Sequence, residues 1–209
     1  MPLAYYITDR QSCPMPVLQQ IQQAIDASVD LIQIREKDLA TRPLLELAAR
    51  ARELAEGRPT KMLINDRVDI ALAAGLDGVQ LGHHSLGPGV LRDQLGRTTL
   101  LIGASVHSVD EYRRAATEGA TFATLGPIFA TPSKQAYGAP LGLDVLAQVC
   151  ECASIPVFAL GGIDLENYRS CLAAGAAGIA AIRLYQSRET LHRAVRAIHD
   201  FQPSVVSNN

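Results

Sequence analysis

The sequence predicts an α/β protein built as a single (β/α)8 TIM barrel, and three observations carry that prediction. Short apolar runs alternate with longer amphipathic segments along the 209 residues, the pattern of buried parallel strands joined by helices. There are eight such runs, the number of strands that closes a barrel of this kind. A glycine also recurs where a helix gives way to a strand. In 73–81, 118–125 and 173–181 a helix end, a glycine and a strand follow one another closely. Gly75, Gly119 and Gly175 stand there as left-handed C-caps, because glycine alone takes positive φ without penalty. A doubly wound open sheet is the rival, but no GxGxxG follows the first run.

The runs fall at 3–7, 31–35, 61–64, 78–81, 100–104, 122–126, 156–159 and 178–182. Between the first two, segment 16–27 places Val17, Ile21 and Ile25 on one helical face. Segment 44–56 does the same with Leu44, Leu47, Ala51 and Leu54. One domain is expected over 1–200, with a disordered tail over 201–209.

Composition narrows the function classes. Hydrophobic residues make up 48% and charged residues 19%, with a formal charge of −2. That balance argues against a nucleic-acid partner, which needs clustered Lys and Arg. No basic leader opens the chain and no apolar stretch reaches membrane-spanning length, so a soluble cytoplasmic protein is expected, with no membrane partner. The four cysteines (Cys13, Cys150, Cys152 and Cys171) form no CxxC pair and are expected to be reduced, buried thiols.

In such a barrel the chemistry gathers where strands end. Thr8-Asp9-Arg10 follows the first strand. The second carries Gln33, Arg35 and Lys37, which alternation points together into the barrel mouth as a candidate anion site. The alternative is an internal salt-bridge network with Glu36 or Asp38. Asn65-Asp66-Arg67 follows the third strand; Asp66 either caps the next helix or coordinates Mg²⁺ with substrate phosphates. The adjacent His83 and His84 cannot both face one metal from a regular strand. The fifth strand leads into Ser105 and His107, with Ser108 as an N-cap; His107 is either a structural hydrogen-bonding residue or a general base. The long segment after the sixth strand reads as a lid carrying Thr131, Ser133 and Lys134, two hydroxyls and a cation suited to a pyrophosphate. Gly161 and Gly162 after the seventh strand and Arg183 after the eighth occupy the usual phosphate position of this fold.

Taken in order, Tyr6-Ile-Thr-Asp9, Gln33-Ile-Arg-Glu-Lys37, Asn65-Asp-Arg67, Gly78-Val-Gln-Leu-Gly82, Ile102-Gly-Ala-Ser-Val-His107, Gly126-Pro-Ile-Phe129, Thr131-Pro-Ser-Lys134 and Leu160-Gly-Gly-Ile163 resemble the thiamine phosphate synthase/TenI superfamily over 3–198. The synthase branch joins hydroxymethylpyrimidine diphosphate to thiazole phosphate and releases pyrophosphate. The resemblance implies that Gln33, Arg35 and Lys37 hold the pyrimidine diphosphate, with Asn65 and the 131–134 segment closing over it. It also implies that Asp66 binds Mg²⁺, that Ser105 lies beside the pyrimidine, and that Gly162 helps hold the thiazole phosphate. Two positions depart from that branch. Ser85 stands where a second magnesium-binding aspartate is usual, and Arg183 where a serine is usual. Residues 84–86 with Arg92 look more like the TenI branch, known for tautomerising a thiazole carboxylate phosphate, but Pro127 replaces the histidine tied to that activity. The resemblance therefore implies small phosphorylated substrates and leaves open a synthase, a tautomerase, or a non-catalytic phosphate-binding paralogue. It also leaves open a homo-oligomer.

Overall fold

The computed structural model describes residues 1–96, 98–131 and 139–202. Eight parallel strands close into a barrel in chain order: β1 (Leu3–Ile7), β2 (Leu31–Ile34), β3 (Lys61–Asn65), β4 (Gly78–Leu81), β5 (Leu101–Val106), β6 (Phe122–Leu125), β7 (Val157–Leu160) and β8 (Gly178–Ala181). β1 pairs with both β2 and β8, which removes any free edge. The connections carry α1 (Val17–Asp26), α2 (Thr41–Leu54), α3 (Val68–Ala73), α4 (Pro88–Leu95), α5 (Val109–Thr117), α6 (Gly142–Glu151) and α7 (Tyr168–Ala173), and α8 (Arg188–His199) follows the last strand. Strand ends differ from the sequence reading by one or two residues. The largest extension is at β5, which runs on to Val106 because Ala104 and Val106 pair with β6.

The recurring glycines do what their positions imply. Gly75, Gly119 and Gly175 take φ of 63°, 90° and 97°, and each closes the same cap. Gly75 N–H donates to Leu72 while Leu76 N–H donates to Ala71; the equivalent pairs form at Gly119 and Gly175. This is the Schellman arrangement. Leu76, Ala120 and Ala176, the residues just after each glycine, are buried. Each cap thus turns the chain inward and starts the next strand two or three residues later. Ser28 does the same after α1 at φ 63°.

The core has two parts. One lies between strands and helices and includes Ile21, Ile25, Leu44, Leu47 and Ala51, with Val17 and Leu54 packed at its margin. The other fills the barrel, where Tyr5, Phe122 and Phe158 meet edge to face with ring centres 5.4–5.8 Å apart. Glycines make room for these rings. A methyl at Gly103 would come within 2.3 Å of Phe122, and one at Gly178 within 2.8 Å of Phe158.

Among the described residues no helix is long and apolar enough to cross a membrane. All four cysteines are free. Burial pushes the Cys171 thiol up to about 12 and the half-buried Cys150 to about 11, so neither is a ready nucleophile. Only Cys171 is buried, Cys13 and Cys150 are half-buried and Cys152 is exposed at the C-cap of α6, which corrects the expectation that all four are buried. Residues 203–209, most of the expected tail, lie outside the described residues.

Candidate active site

The mouth is built from the residues just beyond each strand. At β2 the alternation holds in part. Gln33 is fully buried below the mouth, Arg35 is half-buried and Lys37 is exposed. The neighbouring carboxylates are taken by another cation: Arg10 pairs with Asp38 through a short contact and lies 3.8 Å from Glu36. Glu36 also accepts from the Thr8 hydroxyl at 2.6 Å and from the Arg10 backbone N–H. Burial raises the Glu36 carboxyl above its ordinary value, against those hydrogen bonds. Arg35 and Lys37 form no ion pair among the described residues.

Below the mouth a polar chain crosses the barrel. Gln33 Nε2 donates to the Tyr5 hydroxyl at 2.9 Å, which donates to Gln80 Oε1 at 3.1 Å. Gln80 Nε2 then donates to Ser105 at 3.0 Å and Thr124 at 3.2 Å. Burial drives the Tyr5 phenol far up, so it remains a donor. Sequence reasoning found Gln33 and Ser105 and missed Tyr5 and Thr124. Their only signal was a polar atom at an inward position of a strand.

Asp66 does not cap α3; the residue at the cap is Arg67, with no side-chain capping bond. Asp66 instead takes φ 60° and reaches toward β4. It accepts from Gly82 N–H at 3.0 Å, from Asn65 Nδ2 at 2.6 Å and from the Ser85 hydroxyl through a short contact. Asp66 and Ser85, paired on sequence grounds, therefore meet, and the carboxylate is exposed at the rim.

At the end of β5, Ser108 caps α5 by accepting from Glu111 N–H at 3.1 Å. Glu111 reaches back, accepting from the His107 backbone N–H at 2.8 Å and lying 3.2 Å from His107 Nδ1. Partial burial raises the Glu111 carboxyl, but its contacts with His107 outweigh this and hold it below its ordinary value.

Gly161 and Gly162 follow β7 at φ 97° and 66°. A methyl at Gly161 would meet Pro127 at 2.6 Å, and one at Gly162 would meet the Ala130 carbonyl at 2.6 Å. The turn is clamped to the segment after β6 by Ile128 N–H to Leu160 and Phe129 N–H to Gly161. Asn167 Nδ2 holds the Gly162 carbonyl at 2.9 Å. Arg183 is exposed in a short helical turn after the neighbouring β8. Thr131 is buried beside the mouth; Ser133 and Lys134 lie outside the described residues.

Fold and mouth together define the class: a TIM-barrel enzyme whose polar residues gather at the carboxyl ends of the strands. Residues 4–184 match the family model described as thiamine monophosphate synthase, and the chain belongs to the thiamine phosphate synthase/TenI superfamily. It is 49% identical over 179 residues to a protein of Geobacter sulfurreducens named "Putative thiamine-phosphate synthase", covering 85% of this chain and 84% of that one. It is 35% identical to a thiamine-phosphate synthase of Roseiflexus sp., covering 94% and 84%. The solved thiamine phosphate pyrophosphorylase of Pyrococcus furiosus superposes with a TM-score of 0.83 at 33% identity, covering 94% of this chain and 93% of that one. These relatives place the chain in thiamine biosynthesis, as an enzyme of the thiamine-phosphate-synthase type.

Proposed function

We propose that the protein joins hydroxymethylpyrimidine diphosphate to a thiazole phosphate, giving thiamine phosphate and pyrophosphate. The observation behind this reading is the end of β2, where Arg35 and Lys37 stand without ion-pair partners among the described residues while Arg10 takes Glu36 and Asp38. Neighbouring cations left unpaired repel one another, so a bound polyanion is what gives them favourable energy.

In the reaction the bond between the pyrimidine methylene and the diphosphate oxygen breaks, and its electron pair leaves with pyrophosphate. The thiazole nitrogen lone pair forms the new carbon–nitrogen bond. Arg35 and Lys37, joined by Lys134 as the resemblance implies, neutralise charge growing on the departing oxygens. Gln33 and Ser105, fixed in the interior polar chain, receive the pyrimidine. Gly161, Gly162 and Arg183 hold the thiazole phosphate, and the resemblance implies that Asn65, Thr131 and Ser133 close over the diphosphate. No enzyme nucleophile is required. Asp66 and Ser85 offer oxygen donors only, a set that fits Mg²⁺, which takes one or two carboxylates beside substrate phosphates. Held there, Mg²⁺ would supply further positive charge to the diphosphate.

One observation favours a second reading. His107 is half-exposed at the mouth and oriented by Glu111, the arrangement of an acid/base group, and could serve a thiazole tautomerase. Incubation with both synthase substrates and Mg²⁺ tests the choice by the appearance of thiamine phosphate. Proton exchange on a thiazole carboxylate phosphate without that product selects the tautomerase, and thiazole phosphate binding with neither activity selects a binding protein.

A further inference from the structure

We propose that His83, His107 and Glu111 form a metal site separate from the Asp66–Ser85 pair, suited to a borderline dication of the Zn²⁺ class. His83 lies two residues beyond the end of β4, His107 directly after β5, and Glu111 in the first turn of α5. One ligand atom from each lies within 4.8 Å of the others. Tetrahedral zinc with bonds of about 2.0–2.2 Å sets its ligand atoms roughly 3.3–3.6 Å apart. His107 Nδ1 and Glu111 Oε2, at 3.2 Å, already span one such edge. His83 stands edge-on to His107 with ring centres 5.9 Å apart, and its ring is exposed, so a small rotation brings it to the third corner.

The plainer role of Glu111 is the helix cap, and the two roles are compatible. A carboxylate has about four lone-pair sites, and the His107 backbone N–H uses one of them. The cap then fixes the glutamate where a metal would need it. The sequence argument against a zinc site concerned the adjacent His83 and His84; the structure instead joins His83 to a histidine from the next strand. Two imidazoles and a carboxylate select a borderline ion, whereas the oxygen-only set at Asp66 selects a hard one. Three protein ligands also leave a fourth position open. His83 and Glu111 also line a cleft of about 310 Å³ together with Ser85, Ser105 and Arg114, which has room for water or a substrate oxygen.

The site stands whether or not the chain is a synthase, so its test uses metal alone. Full-length protein stripped with a chelator is titrated with Zn²⁺ against a chromophoric competitor, and with Co²⁺ while visible absorption is followed. Wild type should take up one equivalent and give a tetrahedral cobalt spectrum without thiolate bands. His83→Ala and Glu111→Gln should each weaken binding by at least about tenfold, since loss of mere supporting contacts already costs about that much. Glu111→Gln keeps an acceptor for the cap; should it still unfold, His83→Ala at an exposed loop position decides alone. His84→Ala and Cys152→Ser should bind as wild type does. Absence of stoichiometric binding, undiminished binding by His83→Ala, or loss of binding in either control variant overturns the proposal.

Discussion

The two ends of the barrel differ in how far their polar groups are paired. At the amino end three side chains that precede strands, Asp30, Asp77 and Thr121, are used up internally. Asp30 accepts from Ala4 N–H at 2.8 Å and pairs with His199 at 2.7 Å. Asp77 accepts from Met62 N–H at 2.9 Å and pairs with Lys61 at 3.0 Å. Thr121 accepts from Ile102 N–H at 2.8 Å. Each side chain sits just before one strand and ties off the neighbouring strand. At the carboxyl end Arg35, Lys37 and Arg183 are left without ion-pair partners among the described residues, and Asp66 is exposed. The groups named at the amino end hold the fold, whereas these three cations at the mouth are left for a ligand although Arg10 and Asp38, and His107 and Glu111, pair beside them.

The sharpest way to break this contrast is to remove a cation from the mouth. Arg35→Ala should raise the barrier to thiamine phosphate formation by about 2–4 kcal/mol, read as a fall in kcat/KM, while the melting temperature stays put. Collapse of the fold with specific activity intact would show that Arg35 belongs to a structural network. Asp66→Ala should likewise abolish carbon–nitrogen bond formation while thiazole phosphate still binds, measured by calorimetry beside the assay.

The mirror experiment is made at the other end. Asp77→Ala strands the Met62 N–H and frees Lys61, which should cost about 1–3 kcal/mol of stability. Urea denaturation measures the loss, and kcat/KM should match wild type. A drop in activity at unchanged stability would dissolve the division of labour between the ends.

Ser85→Asp gives a smaller change. It replaces the hydroxyl that donates to Asp66 with a second carboxylate. The magnesium concentration for half-maximal synthase activity should fall about tenfold, equivalent to ~1.4 kcal/mol. An unchanged magnesium requirement counts against Asp66 as the metal ligand.

The smallest effect concerns Glu36, the buried carboxylate of the mouth. Because burial raises its carboxyl above the ordinary 4.5, the folded state favours the protonated form. That contribution to stability is complete below the ordinary value and is lost as pH rises through the raised one. The stability of Glu36→Gln relative to wild type should therefore climb with pH across that window, and a flat difference would refute the assignment.

Much of the fold was legible because its signals are local. The glycine at 75, 119 and 175 is demanded by a positive φ at its own position, and the inward direction of Gln33 follows from the pleat of β2, whereas Arg35 and Lys37 lie beyond its end at Ile34. The order of the motifs alone assigned the family. The grouping of Asp66 with Ser85 came from the family resemblance, which puts both at one metal position, and the two side chains do meet.

What only the closed barrel decided is which polar groups find one another. Arg10 meets Asp38 across 28 positions and Tyr5 meets Gln80 across 75. Asp66 bonds across to β4 and not into its own helix, and the His83 ring stands edge-on both to His84 at 5.0 Å and to His107 of the next strand at 5.9 Å between centres. Sequence states each side chain's chemistry and its local direction. The partner depends on which loop ends lie within about 3 Å after closure, and that distance exists only in three dimensions.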